Sequence, residues 1–292
     1  MKLALCNEVL APRPFAEQCR VAAALGYMGL EVAPYTLCND PSSMTDGEAR
    51  ALARVAADHG IAITGLHWLL VRPGGLSITA ADAALHGRTV AFMRRLCDLC
   101  AAMGGAYLVH GSPGQRLVAE GQTRSDALAR ATEAFASAGE AARAAGVAYC
   151  IEPLSADQTP LVNTVAEAAA IVRSLGNPHV RTMIDTSSAG LAEAEPVDAL
   201  IRRWMPSGLI AHVQVNDRNR RGPGQGDMRF GGILAALLET GYAGVVAAEP
   251  FDYVPDGMGS AAWAAGYLRG LLERAPAAAL AASARPAGQA VR

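Results

Sequence analysis

The feature that most constrains this chain is a repeated alternation of short β-rich runs with helical stretches, unbroken by any linker. Strands are predicted at Leu3–Val9, Gly29–Ala33, Ile61–Leu66, Ala106–His110, Val147–Glu152, Val180–Asp185, Leu209–Val215 and Val245–Glu249. A helix follows each one. Among them are Phe15–Leu25, Glu48–His59, Asp82–Met103, Asp126–Ala145 and a last one over about Ala261–Arg274. Within Asp126–Ala145, Leu128, Ala131, Phe135, Ala138 and Ala142 share one face, the spacing of an amphipathic helix. Thr45/Glu48, Thr79/Asp82, Thr123/Asp126 and Thr164/Glu167 fit the S/T-x-x-acid pattern that satisfies orphan N–H groups at helix starts.

Eight β/α units in one chain imply an α/β fold of the (β/α)₈ TIM-barrel kind, as a single domain over residues 1–274. An open doubly wound sheet would need a glycine-rich phosphate loop after strand one. Asn7-Glu8-Val9-Leu10-Ala11-Pro12 offers none. Residues 275–292 are rich in Ala and Pro without apolar period, and are expected to form a disordered tail.

Composition narrows the partners. With 25 basic and 27 acidic residues the formal net charge is −2, so the chain carries no electrostatic footprint for a nucleic acid. No apolar stretch reaches the ~18 residues of a membrane span. Six scattered cysteines in a chain of 292 residues point to a reduced, cytoplasmic protein. Cys97 and Cys100 form a C-x-x-C inside a helical run, where two small core residues are expected rather than a redox pair.

A barrel of this kind carries its active site at the C-terminal ends of its strands. Strand five ends in Ile151-Glu152-Pro153, strand six in Ile184-Asp185-Thr186 and strand eight in Ala248-Glu249-Pro250, while strand seven contains Ala211-His212-Val213. These polar residues recur about one barrel unit apart, a unit being roughly 31 residues. Three carboxylates and an imidazole converging on one mouth would repel unless a cation sat between them. Oxygen ligands with one histidine suit a divalent ion, with Mn²⁺ first and Mg²⁺ or Co²⁺ as alternatives.

The same segments carry a resemblance. Ile151-Glu152-Pro153-Leu154, Ile184-Asp185-Thr186, His212 to Arg218, Gly222 to Asp227 and Glu249-Pro250-Phe251 resemble the xylose-isomerase-like TIM-barrel superfamily. Within it, the match is to sugar isomerases and epimerases of the ketose 3-epimerase type. The resemblance implies that Glu152, Asp185, His212 and Glu249 bind the metal, that Glu152 and Glu249 also act as acid and base, and that Arg218 anchors the substrate. It implies a metal-dependent isomerase or epimerase acting on a sugar or keto-sugar through an enediolate. A dehydratase or lyase of a keto-polyol or 3-keto sugar would share the first half of that chemistry and is the alternative. Homo-oligomers are common among such barrels.

Two departures stand out. Ser188 occupies a position where those enzymes often carry a histidine, and Gln158 one where they often carry a glutamate. Each change removes a titratable group and keeps a hydrogen-bonding one, so both residues are expected at the substrate. His67 and His110 end strands three and four and are expected to bond the substrate as well. Trp68 is a candidate wall for a sugar face, with a plain core tryptophan as the alternative. Glu31 is a candidate for a sugar hydroxyl, with a salt bridge inside the barrel mouth as its alternative. Endonuclease IV, a relative on the same barrel, would use a larger histidine set for three zinc ions. Ser188 and Arg229 stand where two of those histidines belong, and with the net charge this disfavours DNA repair.

Overall fold

The structure is a computed structural model that describes residues 1–283. Eight parallel strands close into a barrel in sequential order: β1 (Lys2–Cys6), β2 (Gly29–Val32), β3 (Ala62–Leu66), β4 (Tyr107–His110), β5 (Ala148–Ile151), β6 (Val180–Asp185), β7 (Ile210–Val215) and β8 (Val245–Ala248). Outside them lie α1 (Phe15–Ala24), α2 (Asp46–Asp58), α3 (Ala83–Ala102), α4 (Arg124–Ala145), α5 (Val165–Leu175), α6 (Thr186–Ala192), α7 (Val197–Trp204), α8 (Phe230–Glu239) and α9 (Gly257–Ser283). β8 pairs with β1, which closes the ring and leaves no sheet edge.

Some boundaries differ from expectation. The first strand ends at Cys6 and the chain turns through a 3₁₀ segment, Asn7–Leu10. Thr45, Thr123 and Thr164 cap their helices as predicted. At α3 the cap is Asp82 itself, whose carboxylate accepts from Leu85 N–H, while Thr79 donates to the Leu117 carbonyl. α9 continues through Ser283, past the expected break at 275. The rest of the expected tail, residues 284–292, lies outside the described residues. No helix among the described residues is long and apolar enough to cross a membrane.

Two cores result from strand alternation. Tyr107, Val109, Cys150 and Met183 fill the barrel interior, and a larger cluster packs between barrel and helices. Alternation alone would not deliver the site. Leu30 pairs with Ile63 but Glu31 pairs with Gly65, so Thr64 is an extra residue in β3. Thr182 pairs with Ile210 but Met183 pairs with His212, so Ala211 is extra in β7. Each inserted residue reverses which side chains beyond it face the interior. The first turns His67 inward, and the second turns His212 and Gln214 inward. Gly65 is required where it stands, because a Cβ there would lie 2.5 Å from the Tyr107 ring.

Candidate active site

Glu152, Asp185 and Glu249 follow or end β5, β6 and β8, all three buried. Each offers a carboxylate oxygen within 4.8 Å of the others. Asp185 also caps α6, with Oδ1 accepting from Ser188 N–H at 2.6 Å, while Oδ2 is buried without a partner. Glu249 Oε2 is likewise unpartnered. Gly111 faces Glu152, and any Cβ there would collide with its Oε2. Buried carboxylate oxygens without hydrogen bonds are costly unless a cation completes them, so this donor set fits a hard divalent ion.

Without such an ion the three groups hold protons tightly. Burial, then the Glu249 and Asp185 carboxylates, push the Glu152 pKa well up. Burial raises Glu249 to about 8, against the hydrogen bond from His67. It raises Asp185 to about 6, against the N–H of Ser188.

His212 does not belong to this group of carboxylates. It pairs with Met183, one level below Asp185, and its ring stacks on Tyr107 at 4.0 Å. Its Nε2 lies 2.8 Å from Glu31 Oε2, out of line for a hydrogen bond, and its Nδ1 is unpartnered. The residue opposite Asp185 is Gln214. Gln214 Nε2 donates to Glu31 Oε1 at 2.7 Å, which fixes the orientation of the amide because a carboxylate only accepts. Its Oε1 is left buried and unpartnered. Gln214 therefore presents a free buried oxygen at the level of Asp185, while His212 lies one level lower. Bulge parity explains why both face inward, and the paired level is what separates them.

Glu31 is fully buried beneath the site and bonded to Tyr107 Oη at 2.6 Å as well as to Gln214. Burial alone would raise its carboxyl, but His212, His67 and the Tyr107 hydroxyl hold it down at about 2. Glu31 thus supports Gln214 from below, and it is absent from the pocket wall.

His67 Nδ1 lies 2.9 Å from Glu249 Oε1 and Nε2 lies 2.9 Å from Glu8 Oε2. With both carboxyl partners ionised, both ring nitrogens donate. Burial would lower the His67 pKa, yet Glu8, Glu249 and Glu31 raise it well above the ordinary value. Trp68 follows with φ +48°, a left-handed conformation that bulky residues rarely adopt. That twist lets consecutive side chains both serve the mouth. Trp68 and Phe251 meet edge to face at 5.9 Å and, with Gln158, Glu152 and Glu249, wall the pocket. Gln158 Nε2 donates to Ser155 Oγ at 2.9 Å and Ser188 Oγ at 3.3 Å, so the two departures noted in the sequence form one neutral pair.

Two expected residues lie elsewhere. His110 is on the outward face of β4, since Tyr107 and Val109 face inward. Its Nδ1 meets Tyr149 Oη at 2.6 Å and its ring sits edge-on to Phe135 of α4. Burial and nearby Arg116 lower its pKa to about 3. Arg218 lines a separate groove with Asp198, Asp227 and Arg229.

Sequence reasoning missed Glu8 and Arg116. Glu8, in an apolar first strand, was a visible signal, because a carboxylate at a strand's C-terminal end is costly unless used. Arg116 is 1% exposed and donates to the Glu152 carbonyl at 2.8 Å, with Nε and Nη1 unpartnered. Burial lowers its pKa to about 10 although Glu152 opposes this. No motif marked it.

Comparison with known proteins identifies the family. Residues 19–271 match the xylose isomerase-like TIM barrel family. An L-ribulose 3-epimerase of Mesorhizobium japonicum is 31% identical over 214 residues, 73% of this chain and 69% of the relative. A D-psicose 3-epimerase of Agrobacterium fabrum is 29% identical over 244 residues, covering 82% and 78%. The crystal structure of a D-psicose 3-epimerase in the presence of D-fructose superposes with a TM-score of 0.74 at 25% identity, covering 90% of each chain. The chain belongs to the xylose isomerase-like TIM-barrel family, among its sugar isomerases and epimerases.

Proposed function

We propose that this protein epimerises a ketose at the carbon beside the carbonyl, with one divalent ion, Mn²⁺ by preference, held by Glu152, Asp185, Gln214 and Glu249. The observation that carries this reading is the buried cluster of Glu152, Asp185 and Glu249, whose oxygens lie within 4.8 Å of one another. When bound, such an ion supplies positive charge beside the carbonyl oxygen, where negative charge develops as the neighbouring C–H is deprotonated. The chain supplies the proton movements. Glu152 and Glu249 reach the pocket from β5 and β8, so they approach a substrate from different sides. One removes the proton and the other returns one to the opposite face, which inverts that carbon. Trp68 and Phe251 shield the reacting carbon from water. Gln158 and Ser188 present uncharged hydrogen-bonding groups that suit sugar hydroxyls.

The test is incubation with L-ribulose, D-psicose, D-fructose and D-tagatose in D₂O with Mn²⁺, followed by NMR after removal of the ion. Deuterium at the inverted carbon, with the 3-epimer as product, is expected. A dehydrated product, or no exchange with any ketose, would reject the reading.

A further inference from the structure

We infer that Glu8 is a positioning residue for the reaction, acting through His67 to fix the carboxylate of Glu249. This rests on the reading of Glu249 as a metal ligand and proton carrier. Three residues that follow three different strands, β1, β3 and β8, make one continuous chain: Glu8 Oε2 to His67 Nε2 at 2.9 Å, then His67 Nδ1 to Glu249 Oε1 at 2.9 Å. Glu8 is 7% exposed, His67 is fully buried and Glu249 is 3% exposed, so water does not compete for these bonds.

The arrangement is specific in three ways. With both nitrogens engaged, the imidazole cannot rotate without losing a charge-assisted bond, so Glu8 fixes the ring plane and the ring fixes Oε1. Holding Oε1 leaves Oε2 as the unpartnered oxygen of Glu249, the one available to an ion or a proton. The main chain adds further constraint. The extra residue Thr64 turns His67 inward, its N–H is tied to the Val32 carbonyl at 3.0 Å, and the left-handed Trp68 follows. Strain of this kind persists only where the surroundings over-determine it. Glu8 itself is absent from the pocket wall, so it acts on the substrate only through others. Partners that orient a ligating group in this way typically change affinity or activity by about 10–100-fold when altered.

The same atoms offer a competing use. Cys6, Glu8, His67 and Glu249 can each bring a donor within 4.8 Å of the others, as a second ion would require. The full-length protein loaded with Mg²⁺ separates these uses. Its proton NMR spectrum should show downfield imidazole N–H signals that vanish in His67→Asn, and Glu8→Gln should shift or broaden them. In the same Glu8→Gln protein kcat should fall by about 10-fold or more with KM little changed, while Glu8→Asp recovers part of the rate. Unmoved His67 signals together with unchanged kcat in Glu8→Gln would overturn the inference, as would two ions per chain by elemental analysis. Wild-type protein that binds no ion or exchanges no substrate proton would instead defeat the functional reading. The signals from metal-free protein would still decide whether Glu8 holds His67.

Discussion

Gln214 and Asp185 stand opposite each other across the β6–β7 ladder, and each presents a buried oxygen that no group among the described residues satisfies. His212, two residues earlier on the same inward face, pairs one level lower with Met183 and stacks on Tyr107. Height along the barrel axis, rather than residue type, therefore separates the two, and the proposed ion site is assigned to the residue level with Asp185.

This relationship makes the first prediction. Gln214→Met keeps the side-chain volume and removes the oxygen, and should weaken Mn²⁺ binding by at least ~10-fold, the lower end of what altered metal-site shells cost. His212→Asn should weaken it less. Titration calorimetry on both variants decides, and the reverse order would restore His212 as the ligand.

Proton transfer gives the second. Glu152→Gln and Glu249→Gln each retain one oxygen donor but cannot carry a proton, so turnover should fall by ~10²–10⁴. With one base on each face, one variant should still wash the substrate proton into D₂O without forming epimer. Near-normal epimerisation by both, with metal bound, would refute the two-glutamate mechanism.

Stability of the metal-free protein should depend on pH in an unusual direction. In the folded state Glu249 titrates at about 8 and Asp185 at about 6, against ordinary values of 4.5 and 3.8. Acids with raised pKa bind more protons folded than unfolded, so their contribution is fully present below the ordinary carboxylate range and lost as pH rises through the folded values. The metal-free Tm should therefore drop between pH 5 and 8. The Tm gained on adding Mn²⁺ should grow over the same interval, because the ion replaces those protons. Scanning fluorimetry with and without chelator measures both.

His110 supplies a negative control with a stability cost. Tyr149→Phe removes the hydroxyl at 2.6 Å from its Nδ1 and leaves a buried ring nitrogen unpaired, which costs about 1–3 kcal/mol. Urea unfolding should register that loss while KM and Mn²⁺ affinity stay unchanged. A shift in KM would mean that this histidine reaches the substrate after all.

The sequence by itself determined the eightfold alternation and the three carboxylates that gather at the barrel mouth. Hydrophobic period, capping residues and an acid at the end of a strand are local signals, and Glu152, Asp185 and Glu249 each carry one. It also marked Gln158 and Ser188 as a joint departure, and the fold joins them by a hydrogen bond. What only the tertiary structure decided is which side and which level each remaining polar residue occupies. An extra residue in β3 turned His67 inward, while unbroken alternation in β4 left His110 facing Phe135. Another in β7 set Gln214 opposite Asp185 and His212 beneath it. A bulge depends on pairing with a neighbouring strand far away in sequence, so no window along the chain records it. The partnership of Glu8 with His67 exists for the same reason, because it forms only once β1 and β3 share a closed barrel.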